Sequence, residues 1–370
     1  DGIRDTSVTG VQTCALPIYK NIFEKIENVV LNNDFTLGRE VDKFEQNISS
    51  MIGSKYCIAV GSGTDAIRLS LLALGIKSED EVITTPYTFH ATIGAIATAG
   101  AKPVFVDCDE DFNIDVEKIR AAITEKTKAI VPVHWAGRPV DPQSLQKISS
   151  EFSIPIVEDA CHAILASRSG INAGTIGQIG CFSLHPLKNL NAWGDGGFIC
   201  TDDKAIEEKL RLMRNHGLES RDSCVLFGYN SRLDTLQAVV ANHLLLKLPN
   251  LTKKRINNAH MLDKMLGEIK QISLPLRSKE INEVFHLYCF QAKNRNKLVK
   301  FLISNGIDAK KHYPIPMHLQ KAANYLGYKK GDFPIAERLA DSTISLPVHE
   351  FISPEQIEKM GNLVRSFYYG

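Results

Sequence analysis

The chain has no long apolar run, no charge bias and no paired-cysteine motif. Its most apolar segments, such as Ile93 to Ala101, are broken by Gly and Thr, the habit of a core helix rather than a membrane span. The 43 Lys and Arg stand against 42 Asp and Glu, a formal net charge of +1. That balance leaves no basic footprint for nucleic acid or an anionic membrane, and neither is expected as a partner. The 8 cysteines are scattered without a Cys-x-x-Cys pair, and Cys57, Cys181 and Cys200 lie in apolar runs. Buried reduced thiols fit that pattern better than disulfides or zinc, so no metal site is expected. A chain of 370 residues with 44% hydrophobic and 23% charged positions reads as a globular cytoplasmic enzyme. It is long enough for one large core and a smaller second domain.

The segment Asp1 to Ile18 has no initiator Met, no amphipathic period and no signal-peptide layout. Its string Thr6-Ser7-Val8-Thr9-Gly10-Val11-Gln12-Thr13-Cys14-Ala15-Leu16-Pro17-Ile18 resembles translated adapter read-through. The expectation is a non-native leader over residues 1–18, with the true N-terminus missing.

Beyond it, apolar periodicity predicts helices over Asn21 to Leu31 and Arg39 to Met51. Strand and helix patterns then alternate. Predicted strands are Tyr56–Val60, Glu81–Thr84, Pro103–Val106, Lys128–Val133, Ile154–Glu158, Cys181–Leu184 and Phe198–Thr201, with helices between most of them. Such alternation implies an α/β fold, in which ligands bind beyond the carboxyl ends of the strands. A long helix over Leu233 to Leu246 and Asn250 to Leu266 joins this part to a smaller α+β domain. That domain is predicted to hold strands Val284–Ala292 and Ile307–Lys310 and helices Arg295–Asn305 and Pro354–Tyr368. The expected domains are 19–248 and 249–370.

The strand ends carry the chemistry. After the first stand Gly61-Ser62-Gly63-Thr64, small residues entering a helix. Amides at a helix N-terminus with hydroxyls beside them cradle phosphate, although three small residues serve equally as an N-cap turn. After the second comes Pro86-Tyr87-Thr88-Phe89, where Phe89 suits a flat ring or the core. After Ile154-Pro155-Ile156-Val157 come Glu158 and Asp159, and a carboxylate there needs a partner or a task. The strand Cys181 to Leu184 leads past Ser183 to Lys188 and the turn Gly194-Asp195-Gly196-Gly197. Phosphate cradle, aromatic face, carboxylate and amine together match the needs of pyridoxal 5'-phosphate.

These stretches, with Glu158-Asp159-Ala160-Cys161-His162-Ala163, Gly228-Tyr229-Asn230-Ser231-Arg232 and Tyr313-Pro314-Ile315-Pro316-Met317-His318, resemble the DegT/DnrJ-type sugar aminotransferases, a branch of the fold-type I pyridoxal-phosphate enzymes. The resemblance runs from about Tyr19 to Tyr369. It implies a large domain with a mostly parallel seven-stranded sheet between helices, followed by the smaller α+β domain. It places Lys188 at the Schiff-base position and Asp159 against the pyridine nitrogen. It sets His162 near the phenolic oxygen, Ser62, Gly63, Thr64 and Ser183 at the phosphate, and Phe89 on the ring. Asn230 falls where a residue reaches the neighbouring subunit's cofactor, which implies a homodimer with shared active sites. Tyr313 and His318 fall on the substrate side, where a polar loop with a proline turn is an equal reading.

The activity so implied is transfer of an amino group from L-glutamate to a keto sugar, most often nucleotide-linked, in amino-sugar biosynthesis. Two departures, in the segments Ser231 to Gln237 and Ser167 to Gly174, bear on substrate detail rather than cofactor chemistry. A sugar dehydratase of the same fold has histidine in place of Lys188, and a non-catalytic regulatory protein has no need of Lys188, Asp159 and Asn230 together. A nicotinamide-dependent oxidoreductase needs a third glycine where the chain has Ala66.

Overall fold

The computed structural model describes residues 19–370, so the expected leader lies outside the described residues. Seven strands build the main sheet: β1 (Tyr56–Val60), β2 (Glu81–Thr84), β3 (Lys102–Phe105), β4 (Thr127–Ile130), β5 (Val157–Asp159), β6 (Ile179–Ser183) and β7 (Gly197–Thr201). β1, β7, β6 and β5 pair in that order, and β4, β2 and β3 form a second run. Parallel bridges Ile130↔Ile156 and Val133↔Asp159 join the two runs, giving the order β1-β7-β6-β5-β4-β2-β3. β7 is antiparallel to both neighbours, while β5–β6, β2–β3 and β2–β4 are parallel. The expected mostly parallel seven-stranded sheet is therefore present.

Helices cover both faces, because parallel strands need crossovers that bury the sheet on each side. α1 (Tyr19–Leu31) and α2 (Arg39–Ile52) precede the sheet, and α3 (Gly63–Ala73), α4 (His90–Thr98), α5 (Val116–Ala122) and α6 (Pro142–Phe152) follow β1 to β4 in turn. α7 (Lys204–Arg214) follows β7. One core packs Phe44 and Ile48 of α2 with Phe182, Phe198 and Ala241; on the other side Ile67 and Leu71 of α3 pack on Ile58, Ile179 and Ile199. The predicted long helix is two, α8 (Thr235–Leu245) and α9 (Leu248–Leu266), with Pro249 in the first turn of the second, where its missing N–H costs nothing. Among the described residues no helix is long and apolar enough to cross a membrane.

α9 carries Leu248 in the sheet core and Leu262 and Leu266 in a second core. That core holds the antiparallel sheet β8 (Ile272–Ser273), β9 (Tyr288–Ala292) and β10 (Thr343–Leu346), with α10 (Arg295–Ser304) and α12 (Pro354–Tyr369) alongside, while α11 (Pro334–Ser342) packs Ala336 and Leu339 in another cluster with Phe105 and Cys289. Here the sequence reading needs correction. Ile307 to Lys310 alternates like a strand, but Ala309 N–H bonds back to Ile307 O at 2.8 Å and bends the chain after two residues. Only Lys310 pairs, with Ser345 of β10, a strand the sequence reading did not propose. The atypical loop at Ser167 to Gly174 forms a hairpin, Ser167–Arg168 with Ile171–Asn172, extended by Ile281–Asn282.

Candidate active site

A cavity of about 690 Å³ opens where β1, β5 and β6 end, walled on its far side by residues from the second core's loops. Its lining includes Ser62, Gly63, Thr64, Phe89, Asp159, His162, Ser183, Lys188 and Tyr313. Residues up to 251 positions apart in sequence (313 less 62) thus meet at one mouth, the strand-end location expected of this architecture.

The phosphate-cradle candidate is built by close backbone packing. Ser62 caps α3 by accepting from Asp65 N–H at 3.0 Å, which leaves the earlier amides of the first turn without helical partners. A Cβ on Gly63 would lie 2.7 Å from Ser183 Cβ and 2.9 Å from Cys161 Sγ, and one on Gly197 would lie 2.5 Å from the Ser62 carbonyl carbon. Both glycines are needed for this helix end to seat against β6 and β7.

β5 delivers two carboxylates, and successive strand residues point to opposite faces. Glu158 turns away from the cavity and is fully buried. It meets His134 Nε2 at 2.8 Å and accepts from the backbone N–H groups of Gly174, Ile176 and Gly177 at 2.7, 2.8 and 2.9 Å. Its task is to hold the loop before β6. Asp159 turns into the cavity. Oδ2 accepts from Thr92 Oγ1 at 2.7 Å, and Oδ1 from Cys161 N–H at 3.2 Å. Two neutral donors fix the carboxylate and no cation pairs with it among the described residues, so its charge is left to the cavity.

Lys188 follows β6 on a turn closed by its own N–H to His185 O at 2.8 Å. No ion pair engages its ammonium among the described residues. Burial pushes its pKa down from the usual lysine range, against the opposing pull of Cys161 and Asp159. A lysine so desolvated releases its proton more readily than a surface lysine, which a nucleophilic amine requires.

His162 is buried, with Nδ1 lacking a hydrogen-bond partner among the described residues. Burial and the nearby Lys188 and His312 hold it well below the usual histidine range, hence uncharged near neutrality. Phe89 is 46% exposed with its ring free to the cavity, 5.7 Å between centroids from Tyr313, whose own ring packs edge-on against Trp135.

Two expected residues are elsewhere. His318 is 1% exposed, 3.0 Å from Glu337 Oε1 and edge-on to Phe333, and it does not line the cavity. The substrate-side reading of His318 is corrected: it is a core histidine beneath α11, paired through Nε2, with Nδ1 buried and unpartnered among the described residues. Asn230 is exposed and outside its own chain's cavity. The sequence reading also missed Thr92, Cys161, Asn189, His286, Arg255 and Lys310, all in the lining. Thr92 had a signal, standing one helical turn after Phe89; His286 had none.

The family can now be identified. The DegT/DnrJ/EryC1/StrS aminotransferase family matches residues 17–365, and this chain belongs to it. It is 40% identical to a pleiotropic regulatory protein of Geobacillus stearothermophilus, over 94% of each chain. It is 36% identical to the UDP-N-acetyl-3-dehydro-alpha-D-glucosamine 3-aminotransferase of Acidithiobacillus ferrooxidans, over 96% of this chain and 95% of that one. Among solved structures it is similar to DesV of S. venezuelae in complex with a ketimine intermediate, with a TM-score of 0.96 and 32% identity over 98% and 99% of the two chains. It is also similar to NtdA of Bacillus subtilis with bound cofactor PMP, at a TM-score of 0.90 and 28% identity over 99% and 87%.

Proposed function

We propose that this protein is a pyridoxal-phosphate-dependent aminotransferase that moves an amino group from L-glutamate to a nucleotide-linked keto sugar, in amino-sugar biosynthesis. One observation carries the reading. An unpaired, desolvated Lys188 shares a cavity wall with the cation-free carboxylate of Asp159 and with the open N-terminus of α3. The relatives that act on UDP- and dTDP-linked sugars support the substrate class.

The residues suit the cofactor. Gly63 and Thr64 would hold its phosphate with backbone N–H groups, beside the hydroxyls of Ser62 and Ser183. Phe89 would cover a ring face. Asp159, fixed by Thr92 and Cys161, would face the ring nitrogen and keep it protonated. Pyridoxal phosphate supplies an aldehyde to which amines add, and a sink for the electron pair left when the neighbouring C–H bond breaks. Lys188 would hold the resting cofactor and, once displaced by the donor amine, carry the proton away from the donor α-carbon and return it on the other side of the reaction. His162 would present an uncharged ring to the cofactor. Tyr313 would meet the substrate.

The reading carries with it a cytoplasmic location, and a homodimer because exposed Asn230 stands outside its own chain's cavity, where it could reach a partner's. It also carries a division into residues 19–248 and 249–370, supported by the two cores that α9 connects.

The test is direct. Purified protein should be yellow, bleach with L-glutamate, and then transfer the amine to one member of a panel of UDP- and dTDP-linked 3-keto and 4-keto hexoses. Borohydride should fix the cofactor covalently to wild type and not to Lys188→Ala. A trapped adduct in that variant, or colourless wild type, overturns the proposal.

A further inference from the structure

The cavity lining holds a second histidine beside the lysine loop. The His286 ring lies 4.2 Å from that of His162, with 31° between their planes. Both line the cavity. The environment of His286 fixes where its proton sits. Asn189, next to Lys188 in the chain, donates from Nδ2 to the carbonyl of Val284 at 3.1 Å. That bond sets the orientation of the amide, so its oxygen is the atom turned to His286, with Nδ1 at a long 3.4 Å. An amide oxygen only accepts, so the proton of a neutral His286 belongs on Nδ1. Nε2 then carries a lone pair. It has no partner among the described residues and, unlike His162 Nδ1, is not sealed from the cavity.

The groups that act most strongly on this ring are the basic His162, Lys188, Arg255 and His312, with Arg255 itself paired to Glu350 at 2.8 Å. Together with burial they hold His286 well below the usual histidine range, so its lone pair stays available near neutrality. An acceptor facing a site whose other side chains at that wall are cations or uncharged rings selects a ligand group that donates.

We propose that His286 is a substrate-contact residue: held by Asn189 as the Nδ1–H tautomer, it accepts a hydrogen bond through Nε2 from a hydroxyl of the sugar substrate. This rests on the aminotransferase reading and adds to it a specificity determinant 97 residues beyond the lysine loop. A hydroxyl suits the geometry better than the amino donor's carboxylates, which carry no proton near neutrality and would be repelled by the lone pair.

Two measurements test it. Nitrogen-15 NMR of histidine-labelled, cofactor-loaded protein should show His286 neutral with its proton on Nδ1 at pH 7; an Nε2–H tautomer or an imidazolium overturns the proposal whether or not a sugar has been found. Separately, His286→Phe keeps a ring on His162 and removes the acceptor. It should raise KM for the keto sugar turned over in the panel about tenfold, the worth of one hydrogen bond. The bleaching half-reaction with L-glutamate and the cofactor absorbance should stay within about twofold of wild type, since the tenfold effect is confined to the hydroxyl contact. His286→Gln, whose amide oxygen also accepts, should recover part of the loss. Equal slowing of both half-reactions, or an unchanged sugar KM, overturns the contact. Failure of wild type to bleach with L-glutamate overturns the aminotransferase reading instead, and leaves the tautomer result standing.

Discussion

Glu158 and Asp159 are neighbours of like charge with opposite tasks, and the difference is which face of β5 each occupies. Glu158→Ala would strand the His134 ring and three backbone N–H groups, two of them buried, at once. A loss of about 3–5 kcal/mol is expected, read as a lower urea midpoint at unchanged slope. Asp159→Asn keeps the shape and removes the charge. It should leave the fold intact, retain some cofactor and slow turnover about 10- to 100-fold, the worth of a hydrogen bond to a charged group. Turnover near wild type would dismiss the pyridinium argument. Asp109 offers a different test, away from the cavity. Burial and the nearby Asp111 push its pKa up to about 6. The fold therefore favours its protonated form, so its contribution to stability is full below about pH 4 and is lost as pH rises through about 6. Asp109→Asn keeps an acceptor for the N–H groups of Asp111 and Asn113. Its melting temperature relative to wild type should climb between pH 4 and 7; a flat difference across that range would dismiss the assignment.

At the scale of elements, the N-terminus of α3 depends on an absent side chain. Gly63→Ala puts a methyl 2.7 Å from Ser183 Cβ, against backbone held in β6. About 1–3 kcal/mol of strain is expected, and cofactor should dissociate more readily, measured as loss of absorbance on dialysis. Elements of strong period were legible beforehand: α1, α2, α10 and α12 stand within a residue or two of where their apolar spacing put them. The misses were short or bent pieces. Ile307 to Lys310 has a strand's alternation, and a local turn outweighed it. β10, with Thr343, Ser345 and two apolar residues, had too little pattern to separate it from the end of α11.

For the molecule as a whole, the shared-site proposal turns on Asn230. If Asn230 serves the partner's cofactor, Lys188→Ala and Asn230→Ala subunits should each be poor alone. Mixed and reassembled, about half the dimers become hybrids, each with one intact site of two, so about a quarter of wild-type activity should return. No recovery on mixing would place Asn230 in its own chain's site or in none. The exposed Phe227, 99% accessible three residues before Asn230, is consistent with a segment made to be covered by another chain.

The amino-acid order alone determined the alternating layers, the lysine loop, the carboxylate at the end of β5 and the glycines of the cradle. Each is a local pattern in which residue type and spacing have a direct chemical meaning. Tertiary structure alone decided that Glu158 faces away while Asp159 faces in, that His318 belongs to the core, and that Asn189 and His286 join the site. Those assignments depend on which distant segments pack together, and no local pattern encodes a contact across 97 residues.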